Sequence, residues 1–199
     1  MFPELSARRI ENEWEVLNLL NQWNPGRLEI LSRRQNGRDV VFNLILHRTS
    51  GILHRRRAPQ IIAGSHPAII RFPRFFPCVP IEAALTQPVF HPNVHPLTGF
   101  VCLWNRFAPG DTIVEALAHL QQIIAWGALN LAADHVMQPE AVAWYQQPER
   151  TPALPLPYEP IVEAEEFRRS RLYRRRDPVK RRLDAEGEKS ETMKGFAGA

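Results

Sequence analysis

The chain has 199 residues, 44% of them hydrophobic, enough for one well-packed core and short for two full domains. No stretch reaches the roughly 18 to 20 apolar residues that span a bilayer. The first nine residues lack an apolar segment behind a basic one and do not read as a secretory signal, so a cytoplasmic location is expected. The formal net charge of +4 is uneven: between Arg168 and Arg182 the chain carries Arg168, Arg169, Arg171, Arg174, Arg175, Arg176, Lys180, Arg181 and Arg182 against a single Asp177.

In chain order, residues 6–23 place Ile10, Trp14, Val16, Leu17, Leu19, Leu20 and Trp23 close to the 3.6-residue period of an amphipathic helix, which Asn24, Pro25 and Gly26 then stop. Three β-rich runs follow, at 28–31, 40–46 and 68–72, separated by turn signals such as Asn36-Gly37 and Ser50-Gly51. They predict an antiparallel meander. Between residues 73 and 96, prolines at 73, 77, 80, 88, 92 and 96 exclude a central strand or a helix from most of the segment. A helix over 113–131 is expected next, with Asp111 or Thr112 as its N-cap. Another begins at Pro139, a favourable first-turn residue, with Glu140 where the helix dipole favours an anion, and runs to about residue 147.

After Pro148 the composition changes. Pro152, Pro155, Pro157 and Pro160 suggest a stiff linker. Residues 162–176 read as a helix with its acidic residues first and its basic residues last, the order the macrodipole favours. The polar, Gly/Ala-rich stretch 183–199 reads as disordered. The expected organisation is thus one folded domain over 1–150, a proline-rich linker with a basic helix over 151–182, and a tail over 183–199.

Only two cysteines are present, Cys78 and Cys102, so a disulfide framework is not expected and each thiol needs its own account. The informative sequence surrounds them. It runs Phe72-Pro73-Arg74-Phe75-Phe76-Pro77-Cys78-Val79-Pro80, then His91-Pro92-Asn93-Val94, then Gly99-Phe100-Val101-Cys102-Leu103. This resembles the ubiquitin-conjugating enzyme family, which reads approximately F-P-x-x-Y-P-x-x-P, H-P-N-I and G-x-I-C-L. Downstream, Phe107-Ala108-Pro109-Gly110-Asp111-Thr112-Ile113 is similar to the family's W-S-P-x-x-T-I. Residues 134–145, with Pro139-Glu140-Ala141, are similar to its N-P-D-D-P-L-x-P-E-A followed by an aromatic. The resemblance covers roughly residues 6–150. It implies an α+β UBC-like fold: an N-terminal helix, a four-stranded antiparallel meander sheet, an active-site loop and C-terminal helices.

The chemistry so implied is two acyl transfers without a cofactor. Cys102 accepts the C-terminal carboxyl of a ubiquitin-like modifier protein from an activating enzyme, and an amine of a target protein, a lysine in the usual case, then attacks the thioester. A cysteine suits this carriage because its thiolate is accessible near neutral pH and its thioester is activated toward amines. By resemblance, Asn93 either stabilises the oxyanion of the tetrahedral intermediate or holds the active-site loop in shape. His91 and Pro92 turn the chain and pack beneath the loop. Asp134 stands where the family places the carboxylate that orients the attacking amine. His135 is its neighbour and competitor, histidine being the side chain that exchanges protons near neutral pH. Pro109, Gly110 and Cys78 fall on the two loops to which the family's ligases dock.

The chain departs from the family in three places. It carries about one residue more between Asn93 and Cys102, with His95-Pro96 where polar residues are usual, and about three fewer between Cys102 and Thr112. Cys78 replaces a large apolar residue on the ligase surface, which leaves the need for a ligase open. These departures point to a bacterial or phage-encoded relative of the kind found in ubiquitination-like operons, some of them antiphage systems.

Plainer readings stand beside these. Cys102 could be a buried structural thiol, Asn93 a turn former after proline, and Asp134 an ordinary loop or cap residue. Cys78 reads as structural. His54, His66, His95 and His119 have no metal-ligand spacing, so no zinc site is expected, and Trp14, Trp23 and Trp126 read as core. The Arg-rich segment reads as a solvated helix face that also docks to an acidic surface of the activating enzyme or modifier. Nucleic acid is the less favoured partner, because only Phe167 and Tyr173 there could stack on bases. The alternative function from another class is a non-catalytic UBC-like module that presents the modifier or scaffolds a partner. The presence of Cys102 in its motif argues against it.

Overall fold

A computed structural model describes residues 3–54, 59–147 and 153–161, which belong to one compact unit, Met1–Val162. The second unit, Glu163–Ala199, lies outside the described residues, and with it the expected basic helix and tail.

Helix α1 (Pro3–Trp23) begins three residues before its sequence-read start. Its buried stripe is Ile10, Glu13, Val16, Leu17 and Leu20, at the spacing that puts side chains on one helical face. A charge in that stripe needs partners. Glu13 has them: its carboxylate pairs with Arg9 at 2.9 Å and accepts a hydrogen bond from the Ile113 N–H at 2.8 Å. The second contact gives the start of the next helix an anion from a different element, so α1 fixes the position of α2 as well as covering the sheet.

The expected antiparallel meander is present, with strands in the order β1-β2-β3-β4-β5: β1 (Leu28–Asn36), β2 (Asp39–His54), β3 (Pro59–Phe72), β4 (Glu82–Leu85) and β5 (Phe100–Val101). Alternation sets one face. Val40, Phe42, Leu44 and Leu46 on β2 and Ala68, Ile70 and Phe72 on β3 are buried, and Phe42 pairs with Ile70 across the ladder. The sheet has five strands, one more than expected, because the two residues of β5 pair Ala83 with Val101 and Ala84 with Phe100. β4 lies inside the proline-rich stretch, in its one proline-free interval long enough to pair. Ser50-Gly51, read as a turn, lies within β2 opposite Ala63 and Ile62. The glycine is needed there for packing, since a Cβ would lie 2.8 Å from the His66 ring and 2.9 Å from the Ile124 methyl.

Helix α2 (Ile113–Ile124) is N-capped by Thr112, whose N–H donates to the Glu115 carboxylate at 3.0 Å. It ends seven residues earlier than the sequence suggests. Trp126 adopts φ +60 and turns the chain out of the helix. That backbone conformation is unfavourable for a bulky residue. It is offset by what the side chain gains: burial beside Phe90 and Trp144, and a hydrogen bond from its indole N–H to the Phe90 carbonyl at 3.1 Å. The apolar period continues to Leu131, but the chain beyond Trp126 is irregular and Leu131 itself is 43% exposed. Helix α3 (Pro139–Tyr145) covers the same cluster.

Of the three tryptophans read as core, Trp126 is buried, while Trp14, packed against Phe42 with ring centroids 5.0 Å apart, and Trp23 are half-buried. Residues 153–161, read as linker, join the body. Leu156 is buried, its N–H donates to the Ala125 carbonyl at 2.7 Å, Tyr158 bridges to Thr49, and Glu159 pairs with Arg27 and Arg48. Apolar Leu154, Leu156 and Tyr158 between the prolines carried that signal. No helix of the described residues is long and apolar enough to cross a membrane.

Candidate active site

Cys102 follows β5 directly, so the sheet holds the start of the site rigid. Its backbone N–H donates to the Asn93 carbonyl at 2.9 Å, which ties it to the His91-Pro92-Asn93 turn. That turn is built inward. His91 is fully buried beneath the loop against Trp126, ring centroids 4.9 Å apart, and its Nδ1 accepts the Asn93 N–H at 3.1 Å. The Pro92 carbonyl accepts N–H bonds from Met137 at 2.7 Å and Gln138 at 3.3 Å. Gln138, itself buried, donates its side-chain amide to the carbonyls of Val89 and Val94 at 2.9 and 2.7 Å, clasping the turn from both sides.

Burial pushes His91 down to about 3, with a backbone contact at Ala128 opposing only part of the effect. The folded ring is therefore neutral at pH values where the unfolded chain, with an ordinary histidine near 6.5, binds a proton. Stability is present above about pH 6.5 and is lost as pH falls from there toward 3. We expect the His91→Asn variant, which keeps an acceptor for the Asn93 N–H, to flatten the pH dependence of unfolding below pH 6. The change in slope should be about 1.4 kcal/mol per pH unit, one proton's worth, read from urea midpoints between pH 4 and 7. His66 is also pushed down by burial, so the variant retains part of the dependence.

Asn93 is 2% exposed, and its side-chain amide is fully engaged. Nδ2 donates to the carbonyls of Asn130 at 2.6 Å and His135 at 3.0 Å, while Oδ1 accepts the Asn130 N–H at 2.9 Å. Of the two roles carried from the resemblance, this geometry is that of a clamp on the loop: both amide hydrogens point at backbone oxygens, and none is left for an oxyanion. Asn130 was missed in the sequence. It is the reciprocal half of the clamp, donating also to Asn105 Oδ1 at 2.8 Å and accepting from the Ala132 N–H at 3.0 Å. It was hidden because the apolar period places residue 130 inside the helix expected over 113–131, whereas the helix ends at Ile124.

The clamp presents the segment after Asn130 to the cysteine. Cys102 is half-buried, and its Sγ lies 2.9 Å from Nδ1 of His135. Asp134 is 79% exposed at the rim, with Oδ2 3.6 Å from the other ring nitrogen, Nε2. Burial, and secondarily the Asp134 charge, push the Cys102 thiol up. That direction favours the protonated thiol, which lies within hydrogen-bonding distance of Nδ1. Sequence reasoning weighted Asp134 over His135, and the order of approach is the reverse.

A cleft of about 240 Å³ opens beside the sulfur, lined by Asn93, Cys102, Asn105, Arg106, His119 and Leu129 among others. Cys78 is exposed on the loop after Phe76, far along the chain from this cleft and on a different element. That loop and the one holding Pro109 and Gly110 meet the start of α1. Ser6 Oγ donates to the Phe76 carbonyl at 2.7 Å and Arg9 to the Gly110 carbonyl at 3.4 Å. Among the described residues no group of three or more His, Cys, Asp or Glu side chains could hold a metal ion.

No family model matches the sequence, and no curated protein does. Solved structures that resemble the chain include a provisionally assigned ubiquitin conjugating enzyme from Trypanosoma cruzi, 13% identical, with a TM-score of 0.48 over 71% of this chain and 88% of that one. Another is a provisionally assigned ubiquitin conjugating enzyme from Plasmodium yoelii, 19% identical, with a TM-score of 0.49 over 71% of this chain and 85% of that one. At this level of similarity the functional reading rests on the residues and their geometry.

Proposed function

We propose that this chain is a ubiquitin-conjugating-type acyltransferase that accepts a ubiquitin-like modifier from an activating enzyme as a thioester on Cys102 and passes it to an amine of a target protein. The observation that supports it most directly is the half-buried Cys102 sulfur at the mouth of a cleft, 2.9 Å from the His135 imidazole. A structural thiol needs no such partner. In this reading the cleft of about 240 Å³ beside the sulfur receives the C-terminal end of the modifier. On the same reading Asp134, exposed beside His135, attracts a lysine ammonium before it reaches the thioester. The loops carrying Cys78, Pro109 and Gly110 form the surface for a ligase, and a small thiol in place of a large apolar group weakens that surface.

The test is to incubate the protein with its activating enzyme, modifier and ATP and to resolve the products without reductant. We expect a thiol-sensitive adduct that is absent in Cys102→Ala and becomes a reductant-stable ester in Cys102→Ser. An adduct that survives Cys102→Ala and vanishes in Cys78→Ala would refute the assignment.

A further inference from the structure

Nδ1 of His135 lies 2.9 Å from the Cys102 sulfur, and the backbone that carries the ring is held on both sides. Its carbonyl is held by Asn93 at 3.0 Å, its own N–H donates to the Ala132 carbonyl at 2.9 Å, and the chain is tied down again two residues later at Pro92. We infer that His135 is a catalytic residue, the proton carrier that takes the Cys102 proton during loading and an acceptor amine's proton during discharge. This rests on the thioester carriage proposed above.

In loading, the S–H bond breaks toward Nδ1 as Sγ forms its bond to the modifier's carbonyl carbon. The bond from that carbon to the activating enzyme's sulfur breaks, and that sulfur leaves with the electron pair and takes the proton from the imidazolium, so one thiol replaces another and the ring is neutral again. The loaded sulfur carries no hydrogen, which leaves Nδ1 open as an acceptor beside the thioester. In discharge an amine attacks the same carbon, and its surplus proton passes to Nδ1 as the C–N bond forms. The C–S bond then breaks with its electron pair on Sγ, which takes the proton back from the imidazolium. One amide and one thiol result.

The surroundings suit a ring that must gain charge only transiently. Asp134 lies 3.6 Å from Nε2, on the side of the ring away from the sulfur. The other titratable or charged groups at the cleft are Cys102 itself, Arg106 and His119. A thiol pushed up by burial holds little thiolate on its own at neutral pH, so a base in contact with it changes its reactivity most in that range.

The experiment needs no modifier. In a Cys78→Ser background, which leaves Cys102 as the sole thiol, alkylation by iodoacetamide is followed from pH 5 to 10 with and without His135→Gln. We expect the glutamine variant to react about tenfold more slowly at pH 7 and to converge with the parent at high pH, its profile reduced to a single thiol titration. His135→Ala should recover rate in added imidazole, in proportion to the free base. An unchanged profile in His135→Gln overturns the inference, as does a loss of rate in a folded His135→Ala protein that imidazole does not restore. Because alkylation proceeds without an activating enzyme, these outcomes are independent of whether an adduct forms in the loading assay.

Discussion

Replacing Gly99 by alanine is expected to destabilise the protein by about 3 kcal/mol or more, lowering the melting temperature by roughly 6 to 12 °C for a chain of this size. Two costs add at this one position. The residue has φ +68, and a side chain in that region costs about 1 to 2 kcal/mol against the right-handed alternatives. A Cβ there would also lie 1.8 Å from the carbonyl oxygen of Leu85 and 2.9 Å from its carbon. No rotamer relieves an overlap with backbone. The only relief is to part β4 from the chain beside it, where the Leu85 N–H donates to the Gly99 carbonyl at 2.8 Å and Ala84 faces Phe100. Cys102 is three residues further on, so the site moves with the strand. Gly110→Ala is the control, because nothing lies within 4 Å of its added Cβ, and it should stay within about 0.5 kcal/mol of the parent. Equal melting temperatures for the two variants would contradict this account.

The glycine shows why the order of the parts could be read from the chain while their assembly could not. Period and punctuation are local. Leu17 and Leu20 on a helical stripe, Phe42 and Leu44 on an alternating strand, and Pro139 at a helix start each declare themselves within a few residues. β5 has only two residues and forms because Gly99 allows Phe100-Val101 to close against β4, a long-range event with no pattern of its own. The end of α2 was hidden for the opposite reason. The apolar signal continues past Ile124, and the helix stops because the Trp126 side chain is worth more in the Phe90 and Trp144 cluster than a further helical turn. Prolines 155, 157 and 160 read as a linker, but Leu156 between them is core.

The site divides in the same way. Cys102, Asn93 and Asp134 were named from motifs, and the geometry brings Cys102 and Asn93 together through a backbone hydrogen bond while keeping Asp134 at the rim behind His135. The contact between Cys102 and His135 spans 33 residues. It depends on Asn130, bonded to the side chains of Asn93 and Asn105, and on Gln138, bonded to the carbonyls of Val89 and Val94, contacts that carry no spacing a sequence reader can use.

Asn93→Ala should therefore lower loading and discharge by the same factor, about ten- to a hundredfold, because it removes a clamp and not an oxyanion donor. The substitution strips partners from the Asn130 N–H, the Asn130 carbonyl and the His135 carbonyl at once. Leaving buried groups unsatisfied costs about 1 to 3 kcal/mol each, but residues 131–134 are exposed and water recovers part of that. A net loss of about 2 to 4 kcal/mol is the expectation, and it falls on the segment rather than on the core, where Gln138 still holds Pro92 between Val89 and Val94. The affected segment should show faster amide hydrogen exchange at Asn130 and His135, with little change in the β2–β3 ladder. His135 then no longer stays at the sulfur. The variant's alkylation profile, measured in the Cys78→Ser background, should approach that of His135→Gln even though the histidine is present. The two roles of Asn93 separate cleanly on this measurement. An oxyanion donor lost from a rigid site would slow discharge while leaving both the exchange of residues 130–135 and the alkylation of free Cys102 untouched. That pattern would return Asn93 to the transition state and leave the hydrogen bonds to Asn130 and His135 without consequence for catalysis.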